Sequence, residues 1–387
     1  MPLTRRALLG GGIGAVLSLP ARAAPDGAFT LEAGPQGFNG ATPGPLLRLA
    51  AGQAAKLRFI NGLDRPASLA LPGLRFDGGF AGLTGAEAKP GEARDIAFPG
   101  GEPGFHLYTS ERLFGPVAID EATPPAVDLD AIVVFSGADA ATLRVNADPA
   151  PLTLHAPPRG RVRLRLANAA PDLTITLRGE GAALHIVAID GQPSEMFEPR
   201  AGEFPLSPSA RFELMFDLPE GGVTFTLRGE PDRPALKFLP RGDAVAARPP
   251  IAPLPVNPRL PVEIALEKAL RVRATLAATH AGYAINGAAG APWAPKPLFK
   301  AARGQPVALS LVNQTNAAQT LRLEGHVARQ LHGLDDGWDP YWRDALSVAP
   351  GQTLHAAFVA DAPGKWPLAS ASPERRARGM QAWYLVT

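Results

Sequence analysis

The sequence predicts an all-β chain of three related sandwich domains, and three observations predict it. Apolar and polar residues alternate at a period of two along much of the chain. Glycine and proline interrupt it every few residues, and one strand–turn pattern recurs three times. At 387 residues the chain exceeds one compact sandwich and has room for about two to four domains. Hydrophobic residues make up 46%, an ordinary share for a globular protein; 41 Gly and 42 Pro mean many tight turns and few long helices.

The N-terminus has its own character. Thr4-Arg5-Arg6-Ala7-Leu8-Leu9 precedes a Gly-rich, mildly apolar run to Leu19 and then Pro20-Ala21-Arg22-Ala23-Ala24. A twin arginine, a weakly hydrophobic segment and an A-x-A site define a Tat-type export signal over residues 1–23, with the periplasm as destination. An ordinary apolar N-terminal helix is the alternative. Cleavage would remove Arg5, Arg6 and Arg22 and no acid, leaving 35 basic against 36 acidic side chains. The basic isoelectric point thus belongs partly to the signal and implies no nucleic-acid partner. Beyond it, no apolar stretch reaches the roughly 18–20 residues that span a bilayer as a helix.

The strands follow. Lys56–Ile60, Arg161–Leu166 and Leu173–Leu177 alternate as half-buried antiparallel strands do. Gly52–Asn61, Gly160–Asn168 and Gly304–Asn313 each run turn glycine, alternating strand, terminal asparagine. A second turn-and-strand element follows each: Pro90-Gly91 to Phe98, Ser207-Pro208 to Leu218, and Pro350-Gly351 to Asp361. Periodicity near Leu260–Ala278 is mixed and fits two strands as well as a helix. Pro-rich stretches at Glu121–Pro125 and Leu239–Pro261 mark the boundaries. They divide the chain into domains at 24–122, 123–245 and 263–387, with a stiff linker at 246–262.

With no cysteine, the chain has no disulfide framework, Cys-ligated zinc or iron–sulfur site, Cys nucleophile or blue-copper thiolate. The seven histidines, His106, His155, His185, His280, His326, His332 and His355, form no His-x-His pair. His106 has the spacing of an ordinary strand residue; His326 and His332 could meet across a turn. Asp335, Asp336 and Asp339 beside Trp338, Tyr341 and Trp342 suggest a solvated loop with aromatic anchors, or else a calcium-like or glycan-binding patch. The Arg375-Arg376-x-Arg378 cluster suits an acidic partner or an intramolecular role. No nucleophile elbow, Walker loop or dinucleotide fingerprint appears.

Asn39–Arg48 followed by the Gly52–Asn61 strand resembles the first domain of multicopper oxidases. His185–Pro193, Trp342-Arg343-Asp344 before Pro350-Gly351, Phe358–Asp361, Pro363–Trp366 and Gly379-Met380 extend the resemblance from about residue 30 to the C-terminus. It implies three cupredoxin-like Greek-key β-sandwiches, a type 1 copper in the third, and a trinuclear copper cluster between the first and third. The ligand positions it implies hold Ala70 and Pro72, Thr109 and Glu111, then Gln319, Arg322 and Glu324, and finally Ala369, Ser370, Ala371 and Arg375. Met380 alone stands where an axial methionine would. Copper(II) in such a centre takes imidazole and thiolate donors, so no metal or other cofactor is expected.

Glu111, Arg322, Glu324 and Arg375 are expected to form interdomain ion pairs in the volume copper occupies in relatives; solvated side chains in an open cleft are the alternative. The chain is similar to the copper-free, Tat-exported members of the family associated with cell division. That implies a monomeric, non-catalytic protein with a periplasmic or envelope protein partner. The alternative is a copper-dependent oxidoreductase using His326, His332 and Met380; a third reading is a small-ligand or glycan binder at Trp338–Trp342.

Overall fold

The computed structural model describes residues 28–75, 83, 87–98, 100–289, 293–332 and 337–387. The expected export signal and the Asp335-Asp336 run lie outside the described residues. Almost every element is a strand, and six sheets pair into three sandwiches. In the first, strands Ala28–Gly34, Ala55–Asn61 and Ala93–Phe98 face the sheet of Leu47–Ala50, Gly104–Ser110 and Leu113–Asp120. The other two pair a seven- with a five-stranded sheet and a six- with a five-stranded sheet. Each encloses its own apolar core, centred on residues such as Phe59 and Leu31, Phe216 and Phe225, and Leu309 and Phe358.

The recurring pattern has one structural meaning in all three sandwiches. Ala55–Asn61, Arg161–Asn168 and Gln305–Asn313 each pair in parallel with the sandwich's opening strand and antiparallel with the strand of the second repeated element. The terminal asparagine is buried each time. Its Oδ1 accepts the backbone N–H two residues on, and its Nδ2 donates to two carbonyls, as in Asn168 to Leu173 and Leu206. One carbonyl of each pair, that of Ala88, Leu206 or Val348, accepts its bond inside the sandwich, where water does not supply donors.

A second asparagine repeats as well. Asn39, Asn146 and Asn286 adopt φ of 52°, 50° and 51° and bond back to the opening strand through both side-chain atoms. Asparagine tolerates this left-handed conformation because its short amide can bond locally.

Arg161–Asn168 departs from the half-buried, antiparallel expectation. Its apolar residues enter the core, but Arg161, Arg163 and Arg165 are also buried, at 7%, 2% and 1% exposure. The first sandwich covers that face, and carboxylates neutralise it: Arg163 pairs with Glu121 at 2.7 Å and Glu213 at 2.6 Å, Arg165 with Asp130 at 2.8 Å. Arg48 of the first sandwich reaches the same Asp130 at 2.6 Å.

The expected linker has no regular structure over 244–257, and it is tied down. Arg161 donates to Pro249 O, Leu254 packs on Val187 and Met215, and Asn257 donates to Glu102 and Gln192. The mixed segment is a short 3-10 turn, Leu266–Lys268, then the strand Leu270–Thr279. Among the described residues, no helix is long and apolar enough to cross a membrane.

Burial opposes charge on Asp130, but Arg165, followed by Arg48 and Arg163, outweighs it and holds the carboxyl down to about 2. A carboxyl depressed from 3.8 stabilises the fold above that value, and the gain disappears as pH falls towards 2. Asp130→Asn should therefore cost roughly 2 kcal/mol near neutrality. Melting temperatures measured against pH should show the gap to the parent protein closing between about pH 4 and pH 2.

Candidate functional site

Sheet geometry gathers the singled-out positions at the seam of the first and third sandwiches. Strand Gln319–Leu323, buried throughout, lies between Ala345–Val348 and Gly364–Ser370, which sets Arg322 opposite Ala369 and Leu321 opposite Ser370. In the first sandwich, Ala70 and Thr109 exchange backbone hydrogen bonds at 2.8 and 2.9 Å. Pro72 is buried just beyond.

Two polar groups result. Arg322 pairs with Glu324 at 2.6 Å, both side chains about 5% exposed or less, and its Nη1 donates across the seam to Thr109 Oγ1 at 3.3 Å. Arg375 donates to Gln319 Oε1 at 2.7 Å and to Ala318 O, and its other nitrogen pairs with Asp172 of the second sandwich at 2.8 Å. Ser370 and Ala371 complete this group through backbone bonds to Met380 O and Thr320 O.

Glu111 behaves differently from the other three residues expected to form ion pairs. It occupies the hairpin turn after Gly104–Ser110 with φ 53°, so its side chain points outward and is exposed. Among the described residues its carboxylate has no ion pair; its carbonyl instead accepts a 3.5 Å bond from Arg376 Nη2. The acid that ties this hairpin to the third sandwich is Glu374, paired with Arg112. Arg376 belongs to the Arg375-Arg376-x-Arg378 cluster, for which an intramolecular role is one of the two expectations, whereas nothing in the linear order places Arg112 beside Glu374 or Asp172 beside Arg375.

The seam is partly filled and partly open. Next to the Arg322–Glu324 pair lies a cavity of about 370 Å³ bordered by all three sandwiches, with Leu107 and Phe114, Ala169 and Pro171, and Arg322 and Arg376 in its wall. Burial, then repulsion from Arg322, pushes the Arg376 guanidinium down to about 10.

Two of the histidines are buried near the seam. Ala362 N–H donates to His326 Nε2 at 3.3 Å, Nδ1 lies 2.7 Å from Tyr384 Oη, and that hydroxyl donates to Glu324 O at 2.7 Å. With Nε2 accepting, Nδ1 carries the proton, so both nitrogens are committed. Burial and Arg75 hold this imidazole down to about 3. Met380 lies wholly inside the third core. His106 is buried at the seam, where burial, and then Arg211, keep it well below the usual histidine range.

The aromatic run is a packing element. Trp342 is buried under Arg329, Tyr341 stacks on Phe197 of the second sandwich, and Asp339 is 8% exposed. No free aromatic platform is formed by Tyr341 and Trp342.

Residues 28–118 and 260–387 match two models of the family described as multicopper oxidase. The chain belongs to the multicopper oxidase family. It is 27% identical over 235 residues to the cell division protein FtsP of Yersinia pestis, and 26% identical over 221 residues to the multicopper oxidase mco of Staphylococcus aureus. These matches cover 50% and 47% of this chain and 48% of each relative, so the chain spans about half the length of the curated relatives it matches. The crystal structure of a multicopper oxidase from Pseudomonas thermotolerans superposes with a TM-score of 0.81 at 25% identity, covering 93% of this chain and 99% of that one.

The family implies copper, and the side chains at these positions do not fit it. A guanidinium carries no acceptor lone pair and repels a cation, and Ala and Pro offer no side-chain donor. Among the described residues, no three His, Cys, Asp or Glu are grouped to hold a metal ion.

Breaking a buried pair leaves an uncompensated charge, so Arg322→Ala should lower stability by about 3–5 kcal/mol. Glu111→Ala, on an exposed carboxylate, should stay within about 0.5 kcal/mol. Thermal unfolding of the two variants side by side checks the contrast.

Proposed function

We propose that this chain is an exported, periplasmic member of its family that has lost its copper ligands and works through protein contacts rather than catalysis. One observation supports this above the rest: ligand positions are taken by groups bonded to one another, Arg322 with Glu324 and Arg375 with Gln319. The twin-arginine segment supports export through the Tat pathway. Similarity to the cell division protein FtsP supports a place in cell division or envelope maintenance, with a protein partner and a monomeric chain.

The oxidoreductase reading would need His326, His332 and Met380 as ligands. His326 has both nitrogens engaged, and Met380 lies in the core, which argues against it.

The decisive measurement is metal content and visible absorbance after copper loading of the purified exported protein. Less than a stoichiometric amount of tightly held copper and no type 1 absorption band are expected. More than one copper per chain with turnover of a phenolic substrate would overturn the proposal.

A further inference from the structure

We propose that the cavity at the seam of the three sandwiches is a binding site for a small monocarboxylic acid with an apolar body, its carboxylate held by Arg376 and Arg322. The inference rests on the reading that copper does not occupy this seam. It goes beyond that reading by assigning the space a ligand.

Among the described residues, charge bookkeeping across the cavity wall leaves two groups without an ion pair, the half-buried Arg376 and the exposed Glu111 at the hairpin turn. The half-buried cation is the one that calls for a partner. Arg112 is satisfied by Glu374, and the wall acid Asp172 is taken by Arg375. Arg322 has Glu324, yet its Nε, in a side chain 4% exposed, has no hydrogen-bond partner. Among the described residues Arg376 forms no ion pair; its guanidinium has only the 3.5 Å contact to Glu111 O. A half-buried guanidinium beside a second one is an unfavourable arrangement on its own, as the lowering of Arg376 to about 10 reflects. An incoming carboxylate would offset the charge of the two neighbouring guanidiniums, because guanidinium forks match carboxylates in geometry and charge.

The remaining wall selects the body of the ligand. Leu107, Leu113 and Phe114 contribute apolar surface to the wall, as do Ala169, Pro171 and Pro373. At about 370 Å³ the space lies within the range of small-molecule sites, about 300–1,000 Å³, which are mostly apolar with a few placed polar groups. Inorganic phosphate would leave this apolar wall uncovered, and a neutral aromatic would leave Arg376 unpaired.

Calorimetric titration of the purified exported protein with benzoate, benzamide and inorganic phosphate tests the proposal. Saturable benzoate binding is expected, with benzamide and phosphate each at least about tenfold weaker. Arg376→Gln should weaken benzoate about tenfold and leave benzamide unchanged. Should that variant fail to fold, phenylglyoxal labelling of the unmodified protein, mapped by mass spectrometry, replaces it: benzoate should protect Arg376, and benzamide should not. Absence of saturation at about 10 mM benzoate, phosphate binding as tightly as benzoate, or unprotected Arg376 would each overturn the site. Copper content of the same preparation separates the two readings. A copper-free protein that ignores benzoate sinks this inference alone, whereas stoichiometric copper sinks the reading beneath it.

Discussion

Arg211 of the second sandwich and Asp344 of the third, each about 1% exposed, form a two-pronged pair at 2.7 and 2.8 Å, and the three sandwiches converge around it. Asp190 closes the group by accepting the backbone N–H groups of Asp344 and Ala345 across the domain boundary. The first sandwich approaches so closely that a Cβ on Gly73 would lie 2.4 Å from Asp344 Oδ2 and 2.5 Å from Arg211 Nη2. Buried charges hold only when paired and hydrogen-bonded, so this junction fixes the relative placement of the domains and with it the seam beside it.

The seam inherits its chemistry from that placement. The cupredoxin-like scaffold brings a hairpin of the first sandwich against the buried strand Gln319–Leu323 of the third. In this chain the facing residues are arginine, carboxylate and amide. Arg322 with Glu324 and Arg375 with Gln319 and Asp172 pair in the space between domains, and a cavity lies beside them.

The fold was largely legible in the sequence because its cues are local. Period-two alternation, turn glycines and a terminal asparagine can each be recognised within ten residues, and all three copies of the pattern occupy equivalent places. Asn39 and Asn286 each announce their turn through the familiar Asn-Gly pair, with Gly40 and Gly287, whereas Asn146 is followed by Ala and carries no such cue. That Arg322, Glu324 and Arg375 form polar contacts between domains was legible through the resemblance, but their full set of partners was not. Glu111 faces out because a turn with φ 53° reverses the alternation expected of a strand, and Arg375 finds Asp172 two hundred residues away along the chain. The buried arginines of Arg161–Asn168 looked like a solvent face, since sequence alone does not reveal that another domain covers it.

The repeated asparagine turns carry a kinetic consequence. Asn39, Asn146 and Asn286 each clasp an opening strand only 7 to 14 residues upstream. Loop closure over such spans is entropically cheap, and local contacts form early. Each sandwich therefore has its own local clasp, independent of the seams, and Arg322, Glu324 and Arg375 lie outside all three. A chain built this way can change the chemistry between its domains without disturbing the first events by which those domains form.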